Sequence, residues 1–288
     1  MKKLLFYICI ISLAFTLVQC SEDDLDSKSV INEFNYPKNE LDIWLDKNFI
    51  DPYNVEVMYR MNDLESNFEY TVVPADYQKS VEMSILLKHL CLDAYSEVVG
   101  RNFIANYFPK MIYFIGCPGY NSNGTVLLGT ADSGLKIMLY NINNIDISNI
   151  DYIREKYLHV IYHEFTHILH QTIPYSTSFK DICGEYYVSE DWSSSDNDKY
   201  LQHGFVTKYS SKNSNEDFVE LTAFYISEPQ SYWDNIYAAA GEEGTLKIKE
   251  KLEIIKTYMI ENWNLDLDKM RDVVARRTDE VSLLNFNL

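Results

Sequence analysis

Five consecutive residues in the 288-residue chain could do chemistry together: His163-Glu164-Phe165-Thr166-His167. Residues four apart on a helix are separated by about 6 Å of rise and about 40° of turn, so both imidazoles reach one tetrahedral cation. Glu164, one step round, projects beside that cation, where a carboxylate can take a proton from an activated water. The spacing thus supplies two metal ligands and a base, and Zn2+ is the implied cofactor. Tyr157, Val160, Ile161, Ile168 and Leu169 add apolar packing along the same predicted helix, which no Pro or Gly interrupts. His170 shares the angular face. It lies about 10 Å from His163 along the axis, too far to share a metal bound at about 2 Å, and is expected to support or pack behind the ligands.

A third ligand must come from another element. The stretch Asn215-Glu216-Asp217-Phe218-Val219-Glu220 offers two carboxylates one helical turn apart. With Glu216 on the metal, Glu220 can accept the outer N–H of a ligating imidazole; the reverse assignment, Glu220 as ligand, stays open. Phe218, Leu221, Phe224 and Tyr225 predict a buried side for this helix, which argues against a merely solvated acidic turn.

These two blocks, HEFTH and NEDFVE, with 49 residues from His167 to Glu216, resemble a gluzincin, the zincin class whose third ligand is a Glu on a downstream helix. The stretch from Lys208-Tyr209 to Glu220 is similar to the active-site tail of anthrax lethal factor-type peptidases. There a Tyr stands seven residues before the ligand Glu, and another Glu follows four after it. The resemblance implies Glu216 as the ligand and Tyr209 as the group facing the substrate carbonyl. A phenol donating to the developing oxyanion is worth about 2.7–4 kcal/mol in the transition state. His203 is a rival donor, ranked lower as an exposed histidine. The wider set HEFTHILHQ, Gly204-Phe205-Val206 and EDFVE, with the amino-terminal leader, resembles the Bacteroidetes-type substrate import-associated zinc metallohydrolase lipoproteins. That implies a zincin-like peptidase at the outer membrane or cell surface, associated with a nutrient-import complex. The specific motifs cover residues 159–226, and the first 140 residues share only the layout.

Positioning such a site needs a frame. Helical spacing runs from Asn39 to Phe49, and alternation from Asn54 to Met61 predicts a strand. A longer helix follows, with Pro74 in its first turn and Gly100 at its end. Lys110 to Gly116 is a short apolar run bounded by Pro and Gly, and reads as a core strand. Thr125–Gly129 and Leu135–Asn141, separated by a five-residue loop, read as a hairpin. Leu135–Asn141 is further read as an edge strand that aligns an extended peptide. From Ile150 the period becomes 3.6, over Ile150–Gln171, Asn215–Ile226, Gly241–Trp263 and Asp266–Arg277, while 172–200 reads as a long loop. Strands followed by helices predict an α+β fold with a small mixed sheet and amino-terminal helices. The resemblance makes it zincin-like, with the HExxH active-site helix opening a helical carboxyl-terminal lobe. The domain spans residues 30–288, its lobes about 30–149 and 150–288.

Met1-Lys2-Lys3 and the apolar run to Val18 have the form of an export signal over residues 1–19, too short to span a bilayer comfortably. Leu17-Val18-Gln19-Cys20 resembles a lipobox, which implies lipidation of Cys20. Gln19 departs from the small residue usual there, and ordinary cleavage or an uncleaved anchor stays open. Residues 20–29 read as an acidic tether. No later apolar run is long enough to span, so membrane contact is by the anchor only. A net charge of -18 excludes nucleic acid as a partner. The partners expected are a peptide or protein substrate and the import complex. Cys91, Cys117 and Cys183 remain after the leader, an odd number; one bridge is possible, and Cys91 is expected as a buried thiol. The rival function is a noncatalytic, nutrient-binding lipoprotein with structural zinc. Such a site is closed by four protein ligands, the fourth being Cys183, Asp181 or Glu185.

Overall fold

The computed structural model describes residues 37–62, 71–120, 135–194 and 197–288, and the backbone of 126–127 and 129–132. The expected leader, Cys20 and the tether lie outside them. Asn39 opens the first helix, α1 (Glu40–Leu45), through a reciprocal cap: its side chain accepts the Asp42 N–H while Asp42 accepts the Asn39 N–H. A π-helical turn (Asp46–Ile50) and a last turn (Asp51–Tyr53) extend it, and Asn54 ends it in the left-handed region at φ 54°. Strand β1 (Glu56–Met58) is shorter than the predicted 54–61. Next come α2 (Tyr77–Leu87), a π turn (Lys88–Leu92), α3 (Asp93–Val99) and a helix the periodicity did not show, α4 (Arg101–Tyr107). Pro74 does not sit in the first turn of α2. It forms an isolated bridge to Ile115, and Asp76 caps the helix by accepting the Lys79 N–H, a stronger start signal than the proline.

Six strands are described: β1, β2 (Met111–Phe114), β3 (Gly119–Tyr120), β4 (Val126–Leu127), β5 (Gly129–Asp132) and β6 (Lys136–Leu139). The main sheet has the order β1-β2-β6-β5, the first three parallel and β5 antiparallel, which makes it mixed. Val57, Ile112 and Ile137 stand opposite one another and are buried in the main core. Tyr113, Ile115, Met138 and Tyr140 form a smaller cluster of their own. Two expectations need correction. The strand after 125 splits: β4 pairs with β3, and it is β5 that forms the hairpin with β6. The segment read as an edge strand is internal, because β6 is bonded to β2 on one side and β5 on the other. Both of its faces are apolar, as an internal parallel strand requires.

The carboxyl half is helical: α5 (Ile150–Ile153), a π turn (Arg154–Leu158), α6 (His159–Thr172), α7 (Ser178–Ile182), α8 (Ser214–Ser227), α9 (Gln230–Trp263) and α10 (Leu267–Asp279). Helix α9 starts well before the predicted Gly241, which sits at φ 69° and kinks it. The loop 172–200 holds α7 and the 3-10 turns Gly184–Tyr186 and Ser189–Ser193. Among the described residues no helix is long and apolar enough to cross a membrane. Fold class is α+β, with helices predominating.

Helix α6 is seated by its apolar stripe. Phe165 is fully buried, with its ring 5.1 Å from Tyr95, 5.6 Å from Phe103 and 5.0 Å from Phe108. The Tyr162 hydroxyl donates to the Leu90 carbonyl at 2.6 Å. These contacts fix the rotation of α6, so His163 and His167 face α8, the element it packs against most extensively.

Candidate metal centre

The start of α8 is set by Asn213, whose side chain accepts the N–H groups of Asn215 and Glu216. Glu216 and Asp217 then diverge by about 100° round the helix. Asp217 turns inward and is fully buried, both its oxygens 2.7 Å from the Lys251 ammonium on α9 and Oδ2 accepting from the Tyr187 hydroxyl at 2.9 Å. Glu216 turns to α6. Its Oε2 lies 3.2 Å from His167 Nε2 and 3.4 Å from His163 Nε2, and the two Nε2 atoms are 3.2 Å apart.

That triangle fits a cation. Ligands bound at about 2.0–2.2 Å in a tetrahedron stand about 3.3–3.6 Å apart, and two imidazoles with one carboxylate form a zinc donor set. The outer nitrogen of each ring is also engaged: His163 Nδ1 with Glu220 Oε1 at 2.8 Å, His167 Nδ1 with His170 Nε2 at 3.0 Å. Such partners orient the rings and select the tautomer that leaves Nε2 for the metal. The Glu220 contact has hydrogen-bond length, and Glu220 groups with His159 and His163, not with His167. The geometry therefore favours Glu216 over Glu220 as the third donor.

Electrostatics agree. Burial opposes a charged His163, yet Glu216 and Glu220 outweigh it and push the imidazole up to about 10. Burial likewise opposes ionisation of Glu216 and Glu220. His163 and His167 nonetheless hold Glu216 well below the usual carboxylate range, and His159 with His163 does the same for Glu220. In the metal-free site the carboxylates and the imidazoles thus hold one another charged. His170 is driven down to about 4, by burial and then by His167, so its Nε2 is free to accept.

The sequence model of a family described as "Putative zinc-binding metallo-peptidase" matches residues 34–268. The chain belongs to that family. A crystal structure described as a "putative zinc-binding metallo-peptidase" from Bacteroides caccae aligns with a TM-score of 0.78 at 38% sequence identity, covering 90% of this chain and 99% of that one. A comparison with curated proteins found no match. Zinc is the metal named for both the family and the solved relative.

Tyr209 lies on a 3-10 turn (Tyr209–Lys212) with its ring 6.2 Å from that of His163. Burial, then Glu216, raises its phenol above the usual tyrosine range, so it stays a donor. Trp192 packs edge-on to it at 5.0 Å. The segment carrying Trp192 is tied to the same turn by the Val188 N–H to the Ser211 carbonyl and by Asn197 to the Ser211 hydroxyl. Glu164 follows His163 on α6, half-buried. His203, the lower-ranked rival expected to be exposed, is half-buried and stacked on Tyr186 at 4.1 Å. Cys91, Cys117 and Cys183 are free thiols, so no bridge joins them. Cys183 is buried, its thiol directed at the His203 carbonyl. Among the described residues no metal-capable cluster includes Cys183, Asp181 or Glu185.

Sequence reasoning missed His159, one turn before His163. Its ring packs at a tilt on Phe224, 4.3 Å between centres, and its Nε2 lies 2.9 Å from Glu220 Oε1 without a hydrogen-bonding direction. Its four-residue spacing from His163 was the available signal. Lys251 and Thr207 were missed as well; each acts through a partner far away in sequence.

Proposed function

We propose that the chain cleaves peptide bonds as a gluzincin-type zinc peptidase in which His163, His167 and Glu216 are the ligands. The observation that carries this reading is the triangle of donor atoms with sides of 3.2, 3.2 and 3.4 Å. A zinc ion held there would supply Lewis-acid polarisation of a carbonyl and acidify water. Glu164 is the base that takes the water's proton and passes it to the leaving amine. Tyr209 donates to the oxygen that becomes negative in the transition state. Glu220 and His170 hold the two imidazoles. Strand β5, at the edge of the described sheet and packed against α6, is where an extended substrate pairs with the main chain. Among the described residues three donors rather than four meet there, which favours this reading over a closed structural zinc site.

We further propose that residues 1–19 are removed and Cys20 lipidated. That leaves the zincin-like domain 30–288 tethered at the outer membrane or cell surface beside a nutrient-import complex. The support is the leader's resemblance to a lipobox.

The test is metal analysis of the purified mature domain with a peptide-library digest. About one zinc per chain and a cut peptide are expected, and Glu164→Gln retains the zinc while losing the cut. Peptides left intact by the zinc-loaded protein, or undiminished cleavage by Glu164→Gln, overturn the hydrolytic reading. For the anchor, Cys20→Ala moves the protein out of the membrane fraction, and its staying there refutes lipidation.

A further inference from the structure

We propose that the hydroxyl of Thr207 positions two groups at once: it locks Glu220, and through it His163, and it shapes the turn that presents Tyr209. This deepens the zinc reading above and rests on it. Glu220 is buried, 4% exposed, and its two oxygens have different partners. Oε1 is 2.8 Å from His163 Nδ1; Oε2 accepts from Thr207 Oγ1 at 2.7 Å. A carboxylate held by one oxygen turns easily about its last bond, whose preference is broad and two-fold. Held at both, it has one plane.

The plane matters because Oε1 has a second claimant. His159 Nε2 is buried, makes no hydrogen bond, and sits 2.9 Å from the same Oε1. A modest rotation of the carboxylate would satisfy His159 and release His163 Nδ1. Thr207 decides this competition in favour of His163. Its proton goes to the carboxylate, which can only accept, while the Ser210 hydroxyl can itself donate. Thr207 Oγ1 accepts the Ser210 backbone N–H at 3.0 Å and stands 3.1 Å from the Ser210 hydroxyl, so its own O–H points at Glu220. The same Ser210 bond closes the turn across Tyr209, coupling the phenol's placement to that of the carboxylate.

The test uses the full mature chain with Thr207→Val, which keeps the shape and removes the hydroxyl, and Thr207→Ser, which restores it. Zinc affinity is read by chelator competition, and unfolding of the metal-free protein is followed alongside. Expected for Thr207→Val is a loss of about 10-fold in zinc affinity, the low end of the range for direct partners of ligating histidines, because Thr207 acts one step removed, through Glu220. At saturating zinc, kcat falls and KM holds. Thr207→Ser returns affinity to within about threefold of wild type, and its metal-free form unfolds like wild type. Adding His159→Phe to Thr207→Val removes the competitor and recovers part of the lost affinity. Wild-type zinc affinity in Thr207→Val, beside a His167→Ala that no longer holds zinc, overturns this proposal alone. Zinc bound equally well by His167→Ala overturns the zinc reading with it. Should Thr207→Val fail to fold, Thr207→Ala is read by the same criteria.

Discussion

Replacing Lys251 by Met should be among the most damaging single changes in the protein, although Lys251 lies outside the proposed metal site. Lys251 and Asp217 are both fully buried, and their ion pair joins α8 to α9 behind Glu216, beside ring contacts such as Phe218 with Tyr258. The ammonium also lies over two rings, 4.8 Å from the centre of Phe205 and 5.6 Å from that of Phe179. Removing one partner leaves a buried carboxylate with only the Tyr187 hydroxyl, which costs about 3–5 kcal/mol. At about 2–4 °C per kcal/mol for a domain of this size, Tm falls by roughly 6–20 °C. Removing both charges is different. Asp217→Leu with Lys251→Met exchanges the pair for apolar volume and should recover most of the loss, because the desolvation of two ions no longer has to be offset. The assay is thermal and urea unfolding of wild type, both single variants and the double variant, read as a double-mutant cycle. A Lys251→Met protein within about 1 kcal/mol of wild type, or two single losses that simply add, would refute the reasoning.

Other outcomes follow from the same structure. Asp42 accepts from the Asn39 N–H, the Tyr59 hydroxyl and both Arg60 terminal nitrogens; burial opposes its ionisation, but these donors hold its carboxyl below the usual range. A carboxyl depressed on folding stabilises above its unfolded value, about 3.9, and loses that contribution as pH falls through its folded value. Asp42→Asn should therefore cost about 1 kcal/mol at pH 7, and that cost should shrink as pH falls below about 3.9; a gap that does not vary with pH would contradict this. Phe165→Ala empties a space between three rings and should cost about 3–5 kcal/mol in urea unfolding, whereas a loss below 1 would mean that α6 is held elsewhere. Stripping the metal with a chelator should lower Tm, since zinc at a thousand times its dissociation constant contributes about 4 kcal/mol. An unchanged midpoint in protein first shown to carry zinc would argue against a site between α6 and α8.

Local features were legible. The spacing His163, His167 announced a shared helical face, and Glu216 with Glu220 announced a second helix bearing carboxylates one turn apart. Those readings rest on a period of 3.6, which depends on nearest neighbours alone. The same logic failed where a partner decides the outcome. Leu135–Asn141 alternates no differently as an edge strand than as an internal one; β6 became internal because β5 folded back along it. His203 looked like any surface histidine until Tyr186 stacked on it.

The chain's local pattern determined which residues could bind a metal, on which helices, and which carboxylate stands beside them, because rise and turn per residue are properties of the backbone. Tertiary structure decided the rest. Only packing of α6 on α8 closes the 49-residue gap between His167 and Glu216 to 3.2 Å. It also gives His163 to Glu220 across 57 residues and Lys251 to Asp217 across 34. Those pairings depend on buried shape and on the need to satisfy each ion removed from water, and both are set by the whole core at once.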